Sequence, residues 1–281
     1  MVKQSNSGEM MLKNGEYTLE RHGCKLHFWL SGTEGKPLLV FTHGATIDHQ
    51  MFDEQVAVLA NDYRVLTWDM RGHGESRPMG DAFTVAVAVE DLLAILDFVG
   101  AGKAVFIGQS TGGYVQQELV FRHPERVAAL VMVDCICITF KLSKMDSFLL
   151  GLTPALLRLY PYKMLVKQSV VASSIKPAVR EDLLHVVSAI PKEDFISIMS
   201  GAAQCIHYEP NYRIDKPMLI VRGDQDKLGN IAQDAPLWAA RDKALLVIIP
   251  DAGHVSNQDN PAFFNRVLVE FLKSLPVEET R

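Results

Sequence analysis

Residues 105–115 read VFIGQSTGGYV. Val105, Phe106 and Ile107 form a short continuous apolar run, as expected of a strand covered on both faces, and a helical pattern begins just past the glycines. At the junction stands Gly108-Gln109-Ser110-Thr111-Gly112, a G-x-S-x-G arrangement. A strand that turns into a helix this sharply holds its apex residue in a strained backbone conformation. It also crowds the positions two before and two after the apex, so both must be small. The apex serine then projects free of the sheet above a helix N-terminus, where amide N–H groups can stabilise a developing oxyanion. As an isolated match the five-residue pattern reads as a glycine-rich turn. The strand before it and the helix after it make it a candidate nucleophile site.

The same alternation runs outward along the chain. PLLVFTH (37–43), YRVLTWD (63–69), KAVFIG (103–108), VAALVMVD (127–134), PMLIVRG (217–223) and ALLVII (244–249) read as strands, each expected to be buried on both faces. EYTLER and KLHFWLSG, earlier in the chain, read as antiparallel edge strands. Between strands lie helical stretches such as 84–100, with Gly100 as a C-terminal cap, and 260–275, with Asn260 as cap and Pro261 at the first helical position. The pattern predicts an α/β fold, a mostly parallel eight-stranded sheet flanked by helices. One segment departs from it. Residues 138–215 show no strand pattern, only helical stretches punctuated by Pro154, Pro161, Pro177, Pro191 and Pro210. The segment is too long for a plain connection. It is expected to be a helical lid inserted into a core made of 1–137 and 216–281. Its apolar side chains both pack the lid and line a substrate pocket on this reading.

Composition narrows the function classes. The 281 residues are 48% hydrophobic and 22% charged with a net charge of −5, ordinary for a single large globular domain. No basic run or stripe is evident, so neither nucleic acid nor an anionic membrane is expected as a partner. The opening MVKQSNSGEMM lacks the apolar core of a signal peptide, and no stretch approaches a membrane span; a cytoplasmic location is the expectation. Cys24, Cys135, Cys137 and Cys205 are expected to be free thiols, and neither Cys135/Cys137 nor Cys205/His207 has zinc-site spacing, so no metal is expected. The sequence leaves room for a homo-oligomer and sets no oligomeric state.

From about residue 20 to 275 the chain resembles the α/β-hydrolase fold family, in its single-lid branch with haloperoxidase-like esterases and carbon–carbon bond hydrolases. The resemblance rests on the serine elbow, on FTHGAT (41–46), and on DMRGHGES (69–76), which is close to the family's Asp-x-Arg-Gly-His-Gly-x-Ser loop. It rests also on RGDQDK (222–227) and on the long stretch from PDAGH (250–254) through the last helix.

Ser110 needs a base, since a serine hydroxyl is a poor nucleophile at neutral pH. Of nine histidines, His254 follows a strand and precedes the last helix, on the same rim of the sheet as Ser110. The resemblance makes His43 and His73 structural residues of their turns. The base in turn needs a carboxylate, and Asp134, Asp224 and Asp226 all follow strand ends. The family's Gly-x-x-Asp pattern selects Asp226, counted from Gly223, with Asp134 as the alternative acid. The expected oxyanion donors are the amides of Thr111, next to the nucleophile, and, by resemblance, of Ala45. The Thr46 hydroxyl is expected to be a solvated loop group.

These residues imply acyl transfer without a cofactor on a small-molecule apolar substrate, an ester, thioester or lactone, by way of an acyl-enzyme. A carbon–carbon bond hydrolase or a perhydrolase would use the same three residues. A different class is a small-molecule receptor or signalling protein on the same fold with little turnover.

Overall fold

The computed structural model describes residues 12–276, so the opening segment read above for a signal peptide lies outside the described residues. Eight strands form one sheet: β1 (Gly15–Arg21), β2 (Cys24–Gly32), β3 (Leu38–Thr42), β4 (Arg64–Trp68), β5 (Ala104–Gln109), β6 (Val127–Val133), β7 (Met218–Gly223) and β8 (Leu245–Ile249). Their order across the sheet is β1-β2-β4-β3-β5-β6-β7-β8. β1 and β2 pair antiparallel with each other and β2 with β4, while every pairing from β4 through β8 is parallel.

The burial of each strand follows its place. β4, β5 and β6 are buried at every residue, as continuous apolar runs require. β8 departs from the expectation of cover on both faces. It closes the sheet as an edge strand and leaves Leu245 and Ile248 exposed.

Ten α-helices accompany the strands among the described residues. α1 (Asp53–Leu59) packs on α10 (Pro261–Ser274), and α2 (Val85–Phe98) packs on α3 (Thr111–Arg122). Caps stop and start them where the sequence places capping residues: Thr84 accepts from Val87 N, Asn260 accepts from Phe263 N, and Gly100 follows α2 at φ 72°. Between β6 and β7 run α4 (Lys144–Leu159), α5 (Tyr162–Ser173), α6 (Pro177–Ser188) and α7 (Lys192–Ala203), with no strand among them. α4 packs on α7 and α5 on α6. α8 (Ile231–Asp242) and the short α9 (Ser256–Asp259) complete the set.

One buried ion pair holds the long loop after β4. Arg71 and Asp91 meet through two hydrogen bonds of 2.7 and 2.8 Å, both side chains wholly buried. This two-pronged geometry suits a planar guanidinium and a carboxylate withdrawn from water. Ser76 Oγ donates to Asp69 O in the same loop, and His73 is buried there, its titration pushed down to about 3 by burial.

Candidate active site

Ser110 stands between β5 and α3 at φ 50° and ψ −115°. A non-glycine residue pays for such a backbone in strain, so the surroundings must impose it. Two of its constraints are the bonds Ser110 N to Val133 O (2.8 Å) and Tyr114 N to Ser110 O (3.2 Å). The small neighbours are required by space. A Cβ on Gly112 would overlap the Thr42 and His43 carbonyls, and one on Gly108 would sit 2.6 Å from Gly112 C and the Gln116 side chain.

His254, in the loop between β8 and α9, presents Nε2 to Ser110 Oγ at 2.9 Å. Its Nδ1 lies 3.0 Å from Asp226 Oδ2. Asp226 is in the turn after β7, where its other oxygen accepts Leu228 N at 2.9 Å. All three come from loops at the carboxyl ends of parallel strands. Burial disfavours the His254 imidazolium, but the Asp226 hydrogen bond and charge, with the charge of Asp134, outweigh it. The imidazole therefore titrates above an ordinary histidine.

Asp134 does not reach the imidazole as an acid in this chain would. Its Oδ1 accepts Gly223 N and its Oδ2 accepts Ser256 N, each at 2.8 Å. It thus ties the turn that carries Asp226 to the loop that carries His254. Burial pushes its carboxyl up to about 7; the charge of His254 opposes the rise and that of Asp226 adds to it. Asp224 is exposed and accepts Ala252 N at 3.1 Å, which turns it away from the histidine.

The Thr111 amide opens α3, where helix N–H groups lack intrahelical partners. Ala45 follows His43-Gly44 at the end of β3. His43 is fully buried and kept neutral, burial lowering its titration to about 4. Its Nε2 accepts Met70 N at 3.0 Å, so Nδ1 carries the proton and donates to Gly44 O at 2.7 Å. That pair fixes the turn on which Ala45 sits. Thr46 is not the solvated group expected. It is buried at φ 62°, and its hydroxyl donates to Ala45 O because the left-handed backbone folds it against that carbonyl.

Two further residues support the site. Gln109 Nε2 donates to His254 O at 2.7 Å, and its side chain lies where a Cβ on Gly44 would stand. It joins the histidine loop to the Ala45 turn. Asp259 accepts from Gly253 N (2.7 Å), Ile175 N (3.1 Å) and Ser174 Oγ (2.5 Å), and Val255 N donates to Ser173 O. Those contacts fasten the histidine loop to the α5–α6 connection. The sequence signal for Gln109 was its place inside the elbow motif; Asp259 had none beyond following His254 by five. The thiols serve packing: Cys135 lies against Gly113, and Cys137 contacts Thr139 and Arg241.

Residues 37–261 match the model of the alpha/beta hydrolase fold family. The chain is 24% identical over 271 residues to 3-oxoadipate enol-lactonase 2 of Acinetobacter baylyi, covering 91% of this chain and 96% of that protein. Among solved structures it is similar to a hydrolase from Pseudomonas aeruginosa PA01, with a TM-score of 0.79, 25% identity, and coverage of 92% of this chain and 98% of the other. The enol-lactonase of Burkholderia xenovorans LB400 also has a TM-score of 0.79, at 24% identity, covering 92% of this chain and all of the other.

Proposed function

Since this chain belongs to the α/β-hydrolase fold family, we propose that it is a serine hydrolase acting on a small to medium apolar ester, thioester or lactone through an acyl-enzyme. Ser110 Oγ attacks the carbonyl carbon while His254 Nε2 takes the hydroxyl proton. Asp226 keeps the imidazole in the Nδ1–H tautomer and stabilises the imidazolium. The amides of Ala45 and Thr111 receive the oxyanion, each donor worth roughly 3 kcal/mol of transition-state stabilisation. Collapse expels the leaving oxygen or sulfur, which takes the proton back from His254. A water deprotonated by the same imidazole then attacks the acyl carbon; the bond to Ser110 Oγ breaks, Ser110 takes the proton back from His254, and the acid is released. The observation that carries this reading is the unbroken chain Ser110–His254–Asp226, at 2.9 and 3.0 Å.

Residues 138–215 act as a cap over the site, a reading supported by the contacts that tie Ser173, Ser174 and Ile175 to the histidine loop. A cleft of about 430 Å³ runs between residues 47–53 and α6, walled in part by Asp48, Asp53, Glu181 and Asp182. Similarity to enol-lactonases keeps lactones within the class.

The test is labelling by an organophosphonate. One adduct is expected, on the peptide holding Ser110, absent from Ser110→Ala and suppressed in His254→Ala. A label elsewhere, or equal labelling of Ser110→Ala, overturns the assignment. Multiple turnover of p-nitrophenyl esters is expected; a single slow acylation would mark a receptor instead.

A further inference from the structure

We propose that the exposed apolar row of α4, with the cations beside it on α4 and α5, is a docking surface for an anionic lipid bilayer. The proposal is independent of the catalytic reading, because no residue of the candidate triad takes part.

α4 has two apolar faces. Leu150 and Leu157 are half-buried on the side that meets the rest of the protein, where α4 packs on α7. Met145, Phe148, Leu152, Leu156 and Leu159 recur at spacings of three and four, so they share another face. That face is left in water: Phe148 is 63% exposed and Leu159 81%. Tyr160 and Met164 continue the exposed patch towards and into α5. Among the described residues, eight of sixteen exposed large hydrophobic side chains fall between 145 and 171. Such a concentration marks a surface that is covered in use.

Charge identifies the cover. Between 141 and 167 stand Lys141, Lys144, Arg158, Lys163 and Lys167, all exposed, against the single carboxylate of Asp146. The molecule as a whole carries −5, so its net charge conceals a local excess of the opposite sign. A second copy related by a twofold axis would set the patch against itself, cation facing cation. A head-to-tail contact between this patch and an acidic face of the next copy would build a ring or a filament and would leave Phe148, Leu152 and Leu156 against charge. An anionic bilayer supplies both missing partners: acyl chains for Phe148, Leu152 and Leu156, and phosphate charge for the lysines and Arg158. An interfacial helix of this kind lies in the membrane plane with its apolar face about 5–10 Å deep. It does not span, and no helix among the described residues is long and apolar enough to do so.

The test is flotation of the full chain with vesicles of phosphatidylcholine alone and of phosphatidylcholine with phosphatidylglycerol. The protein is expected to float with the anionic vesicles only. It should be released on raising salt from about 0.1 to about 1 M, as the Debye length shortens from about 10 to about 3 Å. Lys144→Gln and Lys163→Gln should each weaken binding about fivefold, the worth of one cation at such a surface. Phe148→Glu or Leu156→Glu should abolish it, whereas Leu237→Glu, at an exposed leucine of α8, should not. These positions are exposed, so an unchanged melting temperature separates lost binding from lost folding. No flotation, equal flotation with both vesicle types, or a dimer by light scattering that Phe148→Glu dissolves in place of vesicle binding would each overturn the proposal.

Discussion

Around His254 two carboxylates do different work, and geometry separates them. Asp226 faces Nδ1, while Asp134 spends both oxygens on the backbone amides of Gly223 and Ser256. Asp226→Asn is therefore expected to fold and to lower kcat about 10⁴-fold, because an amide holds the wrong tautomer and cannot stabilise imidazolium. Its pH profile adds a second readout. On the proposed mechanism His254 must be neutral to act, and Asp226 raises its titration, so the acidic limb of kcat/KM is expected to lie above that of an ordinary histidine and to shift to lower pH in Asp226→Asn. Asp134 is expected to matter for stability instead. Its titration rises from 3.8 unfolded to about 7 folded, so the folded state binds the extra proton between those values. Stability contributed by this group is present near pH 4 and is lost as pH rises towards 7. Melting temperatures measured across that window should show the decline in the wild type and a flatter profile in Asp134→Asn. An unaltered slope would remove Asp134 from this role. The Gly-x-x-Asp spacing made Asp226 legible in the sequence. The work of Asp134 was not, since its partners are main-chain amides 89 and 122 residues away.

The elements meet at two joints. The first is the β5–α3 elbow, where Gly112 leaves no room beside the Thr42 carbonyl. Gly112→Ala must displace backbone, since a carbonyl cannot rotate aside as a side chain does. A loss of more than about 4 kcal/mol, seen as an insoluble or unfolded product, is expected. The second joint is Asp259, three of whose contacts link the loop before His254 to the α5–α6 connection. Asp259→Ala should cost about 3 kcal/mol, as buried donors lose a charged acceptor. At about 2–4 °C per kcal/mol for a chain of this size class, calorimetry would register a fall of roughly 6–12 °C. Wild-type stability in Asp259→Ala would show that the joint carries no tension. Strands and capped helices were readable because their signals are local: continuous apolar runs, Asn260 as a cap, Gly100 past a helix end. The exposure of β8 was not readable, because an edge strand and an inner one share the same apolar composition.

At the scale of the whole molecule, the proposed apolar cap of residues 138–215 sets what should enter. Each added acyl methylene in a p-nitrophenyl ester series should improve kcat/KM by a factor worth no more than about 1 kcal/mol. A flat profile over chain length would contradict an apolar acyl pocket under this cap. By itself the sequence determined the α/β class, and it raised the expectation of a helical insertion and of Ser110 and His254 as nucleophile and base. Those follow from short-range rules: period, capping, and the steric demand of a sharp turn for small neighbours. Only the tertiary structure decided what Asp134 holds, that Thr46 is buried, that Gln109 and Asp259 brace the histidine loop, and that one face of α4 is left in water. Each of these is set by contacts between segments far apart in the chain, whose distances and burial no local pattern encodes.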